Sequence, residues 1–177
     1  MVVKRFLVMP MVVLMLFPLS VFADGEVLTV EQVQQILSTT RDFSGKNLSK
    51  LKLQGMDMSK ANFRNADLRD VLMKDANLSG ADLRGANLKD ANLNGANLTN
   101  ADLSGASLYC VSFDHGDLTG AKLNMTDLTI AQFIDANLNG ADFEGANIDG
   151  TDFTKTKMVN VKNLDKTKNR DKALGLR

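Results

Sequence analysis

The sequence predicts an all-β solenoid, and one period carries that prediction. From Phe43 to Met158 every fifth residue is apolar and nearly always Leu or Phe, which gives 24 repeats in a chain of 177 residues. A period of five matches neither the 3.6-residue period of an α-helix nor the two-residue alternation of a flat strand. The chain must therefore turn a corner once per repeat, and each repeat buries its apolar face only against its neighbours.

Each position of the repeat has its own residue preference. A small residue, usually Ala, stands two positions before the central Leu or Phe, so that one small and one large side chain point inward. Asp or Asn mostly precedes the centre, where its side chain bonds nearby backbone groups in a turn. The second residue after the centre is often Gly, which tolerates the positive φ of a tight turn. The pattern predicts a narrow interior with one turn per repeat.

The repeat is clearest in residues 81–105, which read ADLRGANLKDANLNGANLTNADLSG. This A(D/N)Lxx run resembles the pentapeptide-repeat family, and the resemblance extends over residues 41–160. It implies a right-handed quadrilateral β-helix with four repeats per coil, and hence about six coils. Residues four repeats apart would then stack, which places Phe43 over Phe63. The same columns predict a core ladder of three rings, Phe113, Phe133 and Phe153.

The N-terminal residues 1–23 have a different character. Lys4 and Arg5 precede an apolar run, and small residues near Ala23 complete the pattern of a secretory signal peptide cleaved after Ala23. An uncleaved membrane anchor is the alternative, since the apolar run is just short of a typical span. Without a Cys after the run, the pattern does not indicate a lipoprotein.

Two further segments flank the β-helix of residues 41–161. Residues 24–40 predict a short capping α-helix, with Thr29 as its N-cap and Gln32 completing a capping box. Such a helix would cover the open first coil, because terminal strands otherwise expose an unpaired edge. Residues 162–177 contain six Lys or Arg and two Asp and lack the repeat, so we expect a partly disordered C-terminal tail or a second cap.

The polar residues form no catalytic or metal-binding pattern. The single His, His115, stands four repeats before Asp135, so the implied register stacks the two. A His–Asp pair orients a base, but no nucleophile shares its position. The Asp residues occupy turn positions mixed with Asn, Lys and Ser, which does not supply the converging oxygens that calcium needs. We therefore expect no enzyme, no catalytic residue, no metal site and no cofactor.

Charge is distributed unevenly along the repeat. Residues 41–90 contain ten Lys or Arg and seven Asp, whereas residues 91–161 contain three Lys and nine Asp or Glu. A rod with one basic and one acidic half could bind a partner at either end, and a merely solvated surface is the alternative. Nucleic-acid binding by the basic residues 162–177 is an alternative to a solvated stretch, but such charge runs are usually solvated, so we expect no nucleic-acid partner.

Four residues break the polar pattern of the outward positions. Tyr109, Cys110, Ile130 and Ile134 are aromatic or apolar where other repeats are polar, and we expect their columns to converge on one corner over two coils. An exposed cluster of this kind is a candidate partner patch. Loose drift of a degenerate repeat is the alternative. Cys110 is the only Cys, so an internal disulfide is excluded.

These features favour an exported, non-enzymatic scaffold or protein–protein interaction module, located in the periplasm or an equivalent extracytoplasmic space, with secretion as the alternative. We expect an unknown protein partner, no stable membrane anchoring after cleavage, and a monomer, with a dimer as the alternative. The resemblance implies a second function, because some family members inhibit or protect DNA gyrase by mimicking DNA. The predicted signal peptide and the near-neutral charge disfavour it.

Overall fold

The computed structural model describes residues 25–176, and most of them form a four-sided parallel β-helix. Isolated parallel bridges join each repeat to the fourth repeat after it, from Asp42 with Asn62 to Asp142 with Lys162, and one bridged residue lies on each side of a coil. The β segments are single bridged residues rather than longer strands. The helices are α1, Val30–Leu37, and two 3₁₀ helices, Leu164–Lys166 and Arg170–Lys172.

Backbone hydrogen bonds hold adjacent coils in this register. The amide N–H of Phe63 donates to the carbonyl of Asp82 at 2.7 Å, and the N–H of Asp82 donates to the carbonyl of Ala61 at 3.0 Å. The N–H of Ala66 donates back to the carbonyl of Phe63 at 3.0 Å and closes the turn. Because these bonds recur in most repeats, the backbone N–H and C=O groups are paired regardless of which side chains point outward.

Each turn contains one residue in the left-handed conformation, at every fifth position from 45 to 160. Gly is the commonest residue at these positions, and Asn and Asp together come next, which are the residue types that adopt positive φ most readily. The Asp or Asn before each centre accepts a hydrogen bond from the amide two residues later, as Asn62 does from Arg64 at 3.1 Å. Turn chemistry therefore explains both polar preferences of the repeat.

The interior is a column of apolar side chains, and its aromatic rings stack in the same register as the bridges. Phe133 lies between Phe113 and Phe153, with ring centroids 4.9 and 5.4 Å apart and ring planes within 10° of parallel. All three rings are buried. Phe43 stacks on Phe63 in the same way at 4.9 Å. The ladder that the columns predict is present, because the bridges align every fourth repeat on one side of the coil.

α1 packs its apolar face against the core. Gln32 N–H donates to Thr29 Oγ1 at 3.3 Å and Thr29 N–H donates to Gln32 Oε1 at 2.7 Å, so the predicted capping box is present. Val33 and Ile36 are fully buried and belong to the same apolar cluster as Phe43. The helix therefore shares the core of the β-helix.

Residues 162–176 form a bridged coil, where the sequence led us to expect a partly disordered tail or a second cap. They continue the bridged coil with a longer spacing, since Lys168 pairs with Asn147 and Leu174 pairs with Asp152, one and two positions beyond the regular register. The two 3₁₀ helices occupy the additional residues. A six-residue side keeps the parallel pairing but loses the period of five, which is why the sequence pattern did not extend here.

The predicted signal peptide at residues 1–23, with its cleavage site after Ala23, lies outside the described residues. Within residues 25–176 no helix has the length and apolar character needed to cross a membrane. Export and cleavage therefore stay predictions.

Candidate functional site

The turns at Tyr109–Cys110 and Thr129–Ile130 stack at one corner of the β-helix. Ile130 is 43% exposed, Cys110 is exposed, and Tyr109 is partly buried. Three of the four residues proposed as a partner patch therefore share this corner, in two successive coils. We call Tyr109, Cys110 and Ile130 the apolar corner.

Ile134 lies at the next corner, so the expectation that all four residues converge was wrong. Ile130 is the second residue after its centre, whereas Ile134 is the first residue after the following centre, Phe133. The bridged side containing Gln132 separates the two turns. The amide N–H of Ile134 donates to Asp114 Oδ1 of the coil below at 2.9 Å. Ile130 and Ile134 thus lie at opposite ends of the same side of the coil.

Met125 is a further exposed apolar residue that the sequence analysis missed. It occupies the left-handed position of the turn before Ile130 and is 70% exposed. The signal was available in the sequence, because Met125 stands where most repeats have Gly, Asn or Asp. One coil thus carries apolar side chains at three successive turns, Met125, Ile130 and Ile134.

The backbone at Ile130 has a conformation that its side chain disfavours. Its φ is +52°, and it is the one β-branched residue among the left-handed turn residues between 45 and 160. A left-handed conformation costs a non-glycine L-residue about 1–2 kcal/mol, and a β-branched residue is a particular outlier there. The next residue of its column is Gly150, where an added Cβ would lie 3.2 Å from Ile130 Cγ2. The chain therefore carries both backbone strain and an exposed apolar side chain at this position.

The other two members of the apolar corner contact charged residues of the coil below. Lys89 Nζ lies 5.1 Å from the ring centroid of Tyr109, within the range of a cation–π interaction. Local desolvation and a hydrogen bond with Asp90 raise the pKa of the Cys110 thiol. The thiol is consequently a weaker nucleophile at neutral pH than an ordinary surface cysteine.

The four arginines of the basic half pair with carboxylates of the same half. Arg69 Nη2 lies 2.6 Å from Asp67 Oδ2, and Arg84 forms a bidentate ion pair with Asp82. Arg64 also lies within 4.0 Å of Asp82. The hydrogen bonds from Arg69 and Arg84 lower the pKa values of Asp67 and Asp82 respectively. The arginine charges of this half are therefore paired locally, while its formal excess of ten cations over seven carboxylates is unchanged.

Two carboxylates of the acidic half pair with lysines of the C-terminal coil. Lys166 Nζ lies 3.1 Å from Glu144 Oε1, and Lys172 Nζ lies 3.0 Å from Asp149 Oδ2. Asp149 follows the apolar corner in its column, one coil above Thr129. The apolar corner thus lies between two regions in which some of the charged side chains are paired within the chain.

The structure adds no catalytic or metal-binding arrangement among the residues it describes. His115 and Asp135 are both exposed, and within residues 25–176 they form no ion pair with each other. In the same range no group of three His, Cys, Asp or Glu side chains is placed to hold a metal ion. Ser112 Oγ donates a hydrogen bond to Asn94 Oδ1 rather than to His115.

Comparison with solved structures finds pentapeptide-repeat proteins. The plasmid-mediated fluoroquinolone resistance protein QnrB1, in a trypsin-treated variant form, is 26% identical over 69% of this chain and 70% of its own, with a TM-score of 0.45. HetL from the cyanobacterium Nostoc sp. strain PCC 7120, a protein involved in the regulation of heterocyst differentiation, is 18% identical over 80% and 94%, with a TM-score of 0.34. Rfr23 from the cyanobacterium Cyanothece 51142 is 21% identical over 79% and 99%, with a TM-score of 0.37. No curated protein sequence matches the chain.

Family models match the repeat itself. The model described as a pentapeptide repeat region matches residues 46–123, and the model of pentapeptide repeats in eight copies matches residues 126–162. Together they cover more than half of the chain and nearly all of the bridged coils. The four-sided β-helix described above is the architecture of that family, whose members fold as right-handed quadrilateral β-helices. The chain belongs to the pentapeptide-repeat family.

Proposed function

We propose that this protein is an exported, non-enzymatic scaffold that binds a protein partner through the apolar corner and the neighbouring Met125. Ile130 carries the proposal. Its left-handed backbone is disfavoured for a β-branched side chain, and 43% of the residue is exposed, so neither the turn nor the core benefits from it. Asn, Asp and Gly occupy most of the equivalent positions without that cost.

The proposed partner surface has exposed apolar side chains on two successive turns. Met125 and Ile130 protrude at successive turns, and the nearest columns above them contain Gly145 and Gly150. Met125 lies so close to Gly145 that a Cβ at that position would collide with its sulfur. A partner groove lined by apolar side chains would cover these two residues, and the paired charges around them would form a polar rim.

A photo-crosslinking residue at position 130 tests this surface directly. We expect it to capture a partner in the native compartment, and we expect Ile130→Asn to prevent capture of that partner by a crosslinker at 125. Asn100 provides the matched control, since it is exposed at an equivalent left-handed turn with φ +57°. Equal capture from positions 100 and 130 would rule out the apolar corner as the contact surface.

Export is part of the same proposal and depends on residues 1–23. The signal-peptide pattern supports cleavage after Ala23, location in the periplasm or an equivalent space, and no lasting membrane anchor. A fusion of residues 1–30 to a reporter that is active only outside the cytoplasm should give activity. An inactive reporter beside an active positive control would refute export and leave the binding surface to be tested separately.

We further propose that the β-helix has about six coils, that α1 caps the first of them, and that the protein is a monomer. The burial of Val33 and Ile36 in the common core supports the capping role. Replacing both by Ser should lower the thermal midpoint far more than replacing exposed Gln34 by Ser. Equal midpoints for the two variants would argue against a cap.

Gyrase inhibition or protection is the competing function. The near-neutral charge of the chain and the predicted signal peptide disfavour it, because DNA mimicry needs a strongly acidic surface. We expect the protein without residues 1–23 to leave gyrase supercoiling activity unchanged in vitro. Dose-dependent inhibition, or protection against a quinolone, would favour the competing function over the scaffold.

A further inference from the structure

The coil formed by residues 157–176 presents a β edge unlike the coils below it. Three of its four bridged residues are lysines, and all four are exposed: Lys157, Lys162, Lys168 and Leu174. In the coils from Asp42 to Asp152, only two of the 23 bridged positions are Lys. The change in composition therefore coincides with this edge.

The backbone of the edge offers the same groups that join the coils below. In a lower coil the N–H that follows a bridged residue donates to the next coil, as Phe63 donates to Asp82. The corresponding N–H groups here belong to Met158, Asn163, Asn169 and Gly175, and within residues 25–176 they donate no hydrogen bond. A row of such groups is a template for pairing with another β edge.

Charge determines which edge can pair with it. When two copies meet through this edge, the four sides of one coil face the four sides of the other. In each copy three sides have a bridged lysine and one side does not. Every rotation of one copy on the other therefore places Lys opposite Lys on at least two sides. Like charges directly opposite destabilise a β ladder, and edge lysines are a common means of preventing edge-to-edge association.

A bridged lysine within the chain shows which chemical group pairs with a lysine at this position. Lys122 lies on the same side as Lys162, two coils below it, and its bridge partners are Asp102 and Asp142. Its Nζ lies 3.3 Å from Asp102 Oδ2. The column therefore alternates in sign from Asp102 to Lys162, and a carboxylate is the group that would continue it.

We propose that residues 157–176 form a charge-selective β edge. It rejects a second copy of this chain and pairs with a β edge of a partner protein that carries carboxylates opposite Lys157, Lys162 and Lys168. Backbone hydrogen bonds supply the pairing, and the three lysines supply the selection.

A charge-reversed copy of the chain serves as the acidic edge in a test. Sedimentation velocity would be measured for the wild type, for Lys157→Asp/Lys162→Asp/Lys168→Asp, and for their equimolar mixture, all without residues 1–23. We expect each protein alone to be monomeric and the mixture to form a heterodimer, at least about tenfold tighter than either self-association. Added salt should dissociate the heterodimer because it screens exposed ion pairs.

The matched control reverses three lysines away from the edge, Lys50→Asp/Lys52→Asp/Lys60→Asp, which are all exposed. Mixed with wild type, this control should stay monomeric. If circular dichroism shows that the triple edge variant is unfolded, Lys157→Asp/Lys162→Asp replaces it with a weaker expected association. A monomeric mixture of folded proteins, a control that associates equally, or a wild-type dimer formed through this edge would overturn the proposal.

Discussion

The turns of residues 81–105 and those of residues 106–135 have the same backbone but different side chains. Left-handed φ values span 57–69° in the first region and 52–68° in the second, and both regions keep the same bridge register. The first region fills this position with Gly, Asp and Asn, whereas the second includes Cys110, Met125 and Ile130. Neighbouring coils therefore impose the turn, and the side chain at its left-handed position can vary at a cost in stability.

The largest effect should come from the part that both regions share, the core. Phe133→Ala removes a fully buried ring that stacks on a ring above and a ring below. We expect a loss of about 3–5 kcal/mol in the free energy of unfolding, measured by urea denaturation. Ile134→Ala, at the next position, changes a partly exposed side chain and is the control. Similar losses for the two variants would show that the ladder is not the main source of stability.

Exchanging turn residues between the two regions should change the free energy of unfolding by an intermediate amount. The exchange should destabilise the first region and stabilise the second. Gly105→Ile introduces a β-branched residue at φ +69° in open space, so conformational strain alone should cost about 1–2 kcal/mol. Ile130→Asn removes that strain and should stabilise the protein by up to about 1 kcal/mol. Thermal and urea denaturation measure both. If Ile130→Asn is destabilising, the residue has a structural role and the argument for a contact surface weakens.

Cys110 should distinguish the second region by its reactivity. Because local desolvation and Asp90 raise the pKa of its thiol, less thiolate is present at pH 8 than in a model peptide. We expect iodoacetamide to alkylate Cys110 slowly in the wild type. In Asp90→Asn the alkylation rate should be roughly several-fold higher. The rate is followed by mass spectrometry. An unchanged rate would leave desolvation as the whole cause of the raised pKa.

The smallest effect should come from the ion pairs of the first region. The folded-state pKa of Asp82 lies below its unfolded value, mainly through the hydrogen bond from Arg84. Its contribution is present above the unfolded pKa of about 3.9 and is lost as the pH falls through the lower folded value. Arg84→Gln should therefore slightly reduce the free energy of unfolding at pH 6. It should also make that free energy fall less steeply as the pH is lowered, which is the acid limb of the pH profile. Lys74→Gln, which removes an exposed cation, should leave that limb unchanged.

Much of the body could be predicted because its period is strict. One apolar centre every five residues determines the turns, and a column spacing of four repeats then places Phe113, Phe133 and Phe153 in one stack. The C-terminal coil was not predicted because its sides are six residues long and do not show the period of five. Its bridged residues Lys162, Lys168 and Leu174 are spaced six residues apart. Pairing with an existing coil, rather than a repeat in the sequence, determines that structure.

The candidate site was predicted only in part, and the error lies in the position assigned to each residue. Ile130 and Ile134 are close in sequence, but a turn ends after the first and another begins at the second, so they occupy different corners. Met125 was overlooked although it stands in the same position of the repeat as Ile130. Ion pairing could not be read from counts either, because the partners of Glu144 and Asp149 are Lys166 and Lys172, which belong to the following coil.

The left-handed turn residues also determine how such a chain can lengthen. Several of them lie against the residue one coil later: Met125 fills the space at Gly145, and Asn65 and Asn100 lie similarly against Gly85 and Gly120. Inserting one five-residue repeat between Phe113 and Phe133 would move every later residue to another side, separating these stacked rings and changing which side chains lie against glycines of the next coil. The sequence repeats every five residues, yet the smallest insertion or deletion that preserves its contacts is a whole coil of four repeats.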